Sequence, residues 1–168
     1  NSASLFSVRR MRQGSSPPPC TAHFQSTSFS STIIFESGFL FRSSPASSPY
    51  ANHNLVLALT DGTMVTNSTV SQISASVFYI NCYTLSMNFD SCAFRYNSIS
   101  YGSLLFIMAR IIQAEATVWN NVIFEQNSIF GTCNSLVFVR SLDDNVGIPS
   151  QLSCFNCSFI GNYNTDSM

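Results

Sequence analysis

Phe94-Arg95-Tyr96-Asn97, Phe124-Glu125-Gln126-Asn127 and Phe159-Ile160-Gly161-Asn162 decide how this 168-residue chain is read. Each pairs a Phe with an Asn three residues on. Cys92, Val122 or Cys157 stands two places before the Phe, and Ser91, Asn121 or Asn156 three before. The Phe residues are 30 and 35 apart, and weaker copies at Phe35 and at Met64-Val65-Thr66-Asn67 continue the series with intervals of 29 and 30. A second motif runs in step: Ser76-Val77-Phe78-Tyr79-Ile80, Ser103-Leu104-Leu105-Phe106-Ile107 and Ser135-Leu136-Val137-Phe138-Val139. Two interleaved motifs that keep one order mark an internal repeat.

Both motifs are short β-branched or aromatic runs bounded by Ser, Asn and Gly, which is strand chemistry. Two or three strands in each coil of roughly 30 residues predict an all-β chain, a right-handed parallel β-helix of about five coils. Successive coils of such a solenoid lie about 4.8 Å apart, so equivalent residues stack in columns. Phe94, Phe124 and Phe159 share inward parity with the Cys or Val two places earlier, and form one expected core column. Asn97, Asn127 and Asn162 fall where the strand must turn. Asn tolerates left-handed backbone angles, and stacked amides can bond up a column. Arg95 and Glu125, one place after the Phe, are expected to face outward as an ion pair.

Repeated Phe-x-x-Asn followed by Gly and a short apolar strand, as in Gly102-Ser103-Leu104-Leu105 and Gly131 to Val137, resembles the polymorphic outer-membrane-protein repeat. It also resembles related right-handed parallel β-helix surface proteins of bacteria and protists. The likeness covers about residues 85 to 168. It implies a β-helix displayed outside the cell as an adhesive or structural surface, and it carries no catalytic residue with it.

Composition narrows the function. Only 9% of residues are charged, while Ser (30), Asn (15) and Thr (11) make up a third of the chain and supply its wet face. All seven basic residues are Arg, so a phosphate-loop lysine, a Schiff-base lysine and a Ser/Lys dyad are excluded. A net charge of −1, with only Arg9, Arg10 and Arg12 close together, offers no field for nucleic acid. His23 and His53 have no second ligand at metal-site spacing, so no metal is expected. Leu55 to Leu59 and Leu104 to Ala109 are far shorter than the roughly 18 residues of a transmembrane segment. The chain begins at Asn1, with a segment too short and polar for a signal core, and reads as a processed product or a fragment.

Residues 1–30 are expected to form an extended Ser/Pro-rich arm, and residues 31–168 the β-helix domain. Ser15-Ser16-Pro17-Pro18-Pro19 and Ser43-Ser44-Pro45-Ala46-Ser47-Ser48-Pro49 favour polyproline-like conformation and cannot join a central strand. The first also resembles the hydroxyproline-rich glycosylation modules of algal and plant wall proteins, which implies O-glycans.

Candidate chemistry is sparse. The column four before the Phe holds Asp90, Asn120 and Phe155, a single carboxylate where a polysaccharide-cleaving β-helix needs an acid and a base. Asp143-Asp144 is the sole acidic pair and reads as a solvated loop. Cys154-Phe155-Asn156-Cys157 has redox-motif spacing, but no helix start lowers its thiol pKa, so it reads as two structural cysteines. The disulfide candidates are Cys20, Cys82, Cys92, Cys133, Cys154 and Cys157, with 15 possible full pairings. Cys92 and Cys157 share the inward column two coils apart, beyond bridging reach.

Six cysteines with the sequons Asn67-Ser68-Thr69 and Asn156-Cys157-Ser158 indicate secretion to the extracellular space or cell surface. Asn156 has outward parity and is the first expected N-glycan site. Asn67 is the second, although the Met64 register puts it in the Asn turn column. The expected role is an extracellular structural glycoprotein, not an enzyme, without a cofactor, whose partner is itself. Its uncapped ends would stack head to tail, with residues 1–20 crossing to a neighbour. The alternative is an adhesin or carbohydrate-binding module that holds glycans on its lateral face; a polysaccharide-degrading enzyme ranks third.

Overall fold

The computed structural model describes residues 4–10, 19–34, 39–45, 54–71, 75–130, 135–141 and 152–165. These residues are all-β, without a helix among them. The first pass along the chain comprises β1 (Ser4–Arg10), β2 (Cys20–Gln25), β3 (Ser28–Ser30) and β4 (Ile33–Ile34). The second comprises β5 (Phe39–Pro45), β6 (Asn54–Thr60), β7 (Met64–Thr66) and β8 (Thr69–Val70). The third is β9 (Ala75–Asp90), β10 (Ala93–Arg95) and β11 (Ser98–Ser100), and the fourth β12 (Gly102–Asn120), β13 (Ile123–Glu125) and β14 (Ser128–Phe130). The fifth is β15 (Ser135–Ser141), β16 (Ser153–Phe155), β17 (Ser158–Ile160) and β18 (Tyr163–Thr165).

Each pass contributes to the same three sheets in the same order: first a sheet of eight strands, then two of five. Every pairing among the described strands is parallel. The two motifs read from the sequence set the register. Phe94 lies beside Phe124 and Phe124 beside Phe159. Ser103 lies beside both Ser76 and Ser135. Alternation explains the burial: in β6, Leu55, Leu57 and Leu59 are buried and their neighbours half-buried.

Two corners per pass are built from left-handed residues that are almost never glycine. Between the large sheet and the second, Ser26, Asp61, Ser91, Asn121 and Asn156 all have positive φ. Between the second and third, Ser31, Asn67, Tyr96, Gln126 and Gly161 do. A left-handed L-residue costs about 1 to 2 kcal/mol. Here the backbone ladder continues through the corner and offsets that cost: Tyr96 N donates to Glu125 O (3.0 Å), Gln126 N to Ile160 O (2.8 Å) and Asn121 N to Phe155 O (3.0 Å).

Several expectations need correction. The turn falls at Tyr96, Gln126 and Gly161, one place before the Asn, because the Asn side chain is needed inside. Val65, not Met64, stands beside Phe94, and Phe29 beside Val65. The reason is parity: Val65 is buried while Met64 faces out. The copy at Phe35 lies outside the described residues.

The strands also extend into the expected arm. β1 pairs with β5, β2 with β6, β3 with β7 and β4 with β8 of the same chain. Ser43, Ser44 and Pro45 end β5 rather than starting a loop. A terminal position suits Pro45, whose missing N–H interrupts no longer strand.

Candidate functional site

Columns, rather than a cleft, hold the residues that the sequence singled out. Phe94, Phe124 and Phe159 stack with centroids 4.9 Å apart at each step and interplanar angles of 7° and 3°. Phe94 and Phe124 are fully buried, but Phe159 is 60% exposed because no described strand covers its second face. Phe89 and Trp119 form a parallel stack in the neighbouring column (5.2 Å, 9°), which continues to Cys154 through the pairing of β12 with β16.

The Asn column is a continuous amide ladder. Asn97 Nδ2 donates to Asn127 Oδ1 (2.9 Å) and to Val65 O (3.0 Å). Asn127 Nδ2 donates to Asn162 Oδ1 (2.8 Å) and to Phe94 O (2.9 Å). Asn162 Nδ2 donates to Phe124 O (2.7 Å). Each Oδ1 also accepts a backbone N–H from the pass before: Ser68 N to Asn97 (2.9 Å), Asn97 N to Asn127 (3.0 Å) and Asn127 N to Asn162 (3.0 Å). Buried polar groups this fully satisfied fix register, since a slipped strand would leave several of them unpaired.

Arg95 Nε lies 3.0 Å from Glu125 Oε2 without a hydrogen-bonding angle, an ion pair on the half-exposed outer face. Pairs of this exposure contribute little. Arg95→Ala and Glu125→Ala are each expected to change unfolding free energy by about 1 kcal/mol or less, with a coupling below about 0.5 kcal/mol in 0.5 M salt. A double-mutant cycle by urea denaturation is the check.

A third column was not legible beforehand. Tyr79 and Phe106 stack at 5.1 Å and 1°, and Phe106 and Phe138 at 4.8 Å and 8°, along the outer face of the large sheet. Arg42 caps it, its guanidinium carbon 5.8 Å from the Tyr79 ring. Parallel stacking turns the Tyr79 and Phe106 faces toward their neighbours, while Phe138, at the end of the stack, is 38% exposed. The alternation in Phe78-Tyr79-Ile80 and Leu105-Phe106-Ile107 was the available signal.

The candidate carboxylate Asp90 accepts a hydrogen bond from Asn120 Nδ2 (2.9 Å), its neighbour in the column. Asp143 and Asp144 lie outside the described residues, as do His53 and Cys133. His23 Nε2 is 2.8 Å from Thr60 Oγ1, and among the described residues no three His, Cys, Asp or Glu side chains gather. No helix of the described residues is long and apolar enough to cross a membrane. A depression of about 310 Å³ opens over the first corner between Gly62, Arg95, Asn121 and Ile123.

The described cysteines are unbridged. Cys82 and Cys92 are buried, and desolvation pushes both thiols up to about 12, so they stay protonated and inert at neutral pH. Cys92 Sγ donates to Leu59 O (2.8 Å). Asn67 and Asn156, the two sequon residues, are both exposed at left-handed corners. The corrected register therefore moves Asn67 out of the amide ladder. No family model, curated protein or solved structure matches this chain.

Proposed function

We propose that the chain is a structural protein of the cell exterior, a right-handed parallel β-helix that assembles end to end with copies of itself. The observation that carries this reading is the last described pass. There Phe155 (58%), Phe159 (60%), Ile160 and Tyr163 are exposed together, in register with the ladders beneath them. Such an edge offers a second coil an aromatic face, an amide column and unpaired strand groups at once. Right-handedness follows from the hand that parallel crossovers adopt in about 98% of cases. Lateral surfaces support binding less well, because Tyr79 and Phe106 are held within their own stack and leave only Phe138 at its end. N-glycans on Asn67 and Asn156, at exposed corners, would solubilise a surface with so little charge, and O-glycans would do the same on the Ser/Pro-rich segments.

The second reading, a lateral carbohydrate-binding module, rests on the depression near Arg95. Sedimentation across a concentration series separates the two. End-to-end assembly gives elongated oligomers that Phe159→Arg and Tyr163→Arg each reduce to folded monomers, with the circular dichroism unchanged. A monomer at every concentration that binds a glycan array would establish the second reading and refute the first.

A further inference from the structure

The corner Cys154-Phe155-Asn156-Cys157 brings together what the sequence kept apart. Cys154 continues the inward column of Phe89 and Trp119, and Cys157 that of Cys92 and Val122. In the passes below, the equivalent residues Phe89, Cys92, Trp119 and Val122 are all buried. In the fifth pass both places are cysteine, and the two thiols lie within hydrogen-bonding reach of each other. Cys157 Sγ also lies 3.6 Å from Phe155 O and 3.7 Å from Trp119 O, so it sits over the rung that carries Cys154's neighbour. Unlike Cys82 and Cys92, Cys154 is exposed and Cys157 half-buried. Asn156, between the two cysteines, is exposed at a left-handed position.

We infer that Cys154 and Cys157 form a reversible intrachain disulfide closing this corner, made by exchange with a small disulfide such as oxidised glutathione. One cysteine thiolate attacks a glutathione sulfur, forming a mixed disulfide and releasing one glutathione thiolate. The second thiolate attacks the protein sulfur of that bond and displaces the other glutathione. Two electrons pass to glutathione disulfide, and the two thiol protons end on the two glutathiones released. An exposed bridge over so short a loop belongs to the labile class of disulfides. Burial, then the neighbouring Cys157, pushes the Cys154 thiol up to about 11, which makes Cys154 a slow nucleophile at neutral pH.

The chain has no Lys, so trypsin cuts after Arg140 and leaves a peptide from Ser141 that carries Cys154 and Cys157 and no other cysteine. The intact protein is equilibrated in glutathione buffers of graded ratio, trapped with acid and alkylated. As the disulfide form of the buffer rises, that peptide loses two hydrogens in most molecules, and a reductant returns them. The single tryptophan, Trp119, lies one rung below Cys154, so its fluorescence falls by half or more in step, since an adjacent disulfide quenches indole. In Cys154→Ser and Cys157→Ser the remaining thiol stops at a single glutathione adduct and the two-hydrogen loss disappears. A peptide that stays a dithiol, that stops at two glutathione adducts, or that links to Cys20 or Cys133 overturns the inference. So does a two-hydrogen loss that survives either substitution. These readouts are taken on dilute protein and are independent of end-to-end assembly.

Discussion

Phe124→Ala is expected to lower the free energy of unfolding by about 3 to 5 kcal/mol, the range for a buried aromatic whose cavity cannot collapse. Collapse is resisted here because the Phe124 ring is held on both faces, by Phe94 and Phe159 at 4.9 Å, and leans on Trp119 at 5.9 Å. The backbone around it is fixed by ladders on either side, so neighbouring rungs cannot slide in. Phe159→Ala makes the contrast. Its ring is 60% exposed and stacks on one face only, so about 1 kcal/mol is expected. Urea denaturation followed by circular dichroism measures both. Equal losses for the two variants would mean that the fifth pass is covered in solution or that the column is not continuous.

Asn127 is the second position where a large effect is expected. It is fully buried and forms four hydrogen bonds through its side chain, two as donor and two as acceptor. Ala at this place removes all four bonds, although Asn97 Nδ2 keeps Val65 O and Asn162 Oδ1 keeps the backbone N–H of residue 127. With about 1 kcal/mol for each net bond and further desolvation of the stranded groups, the loss is about 3 to 5 kcal/mol. Asn127→Asp separates hydrogen bonding from shape. Its carboxylate keeps the acceptors but loses both donors and buries a charge against Phe94 O. Burial holds the folded-state pKa of that Asp above its unfolded value of about 3.9. A raised pKa contributes stability below the unfolded value and loses it as pH rises through the folded one. The Asp variant should therefore be as unstable as the Ala variant at pH 7 and recover part of the gap at pH 4, relative to the parent chain. An Asp variant with no such pH dependence would show that the ladder is open to water.

What the amino-acid sequence determined by itself is the repeat and its inner columns. Phe94, Phe124 and Phe159, and Ser76, Ser103 and Ser135, could be aligned without coordinates because a buried column admits few residue types. The Arg95–Glu125 pair followed from the same register. Where the column residue is smaller, as at Val65, chemistry no longer distinguished it from Met64 next door, and the alignment slipped by one. The spacing between passes also varies, from 27 residues at Ser76 to 37 at Phe39, so period alone could not repair the slip.

Only the tertiary structure decided the rest, for three physical reasons. Ser, Asn, Gln and Tyr all accept the left-handed corners once the backbone ladder passes through them, so no residue type marked Tyr96 or Gln126. Pairing of Ser4–Arg10 depends on an edge offered by β5, which local composition does not reveal. The nearness of Cys154 and Cys157 arises from the rung below, where Trp119 pairs with Cys154 and offers its carbonyl to Cys157. Which thiols are covered depends on whether another pass lies above them, and that is a property of the stack rather than of the residues.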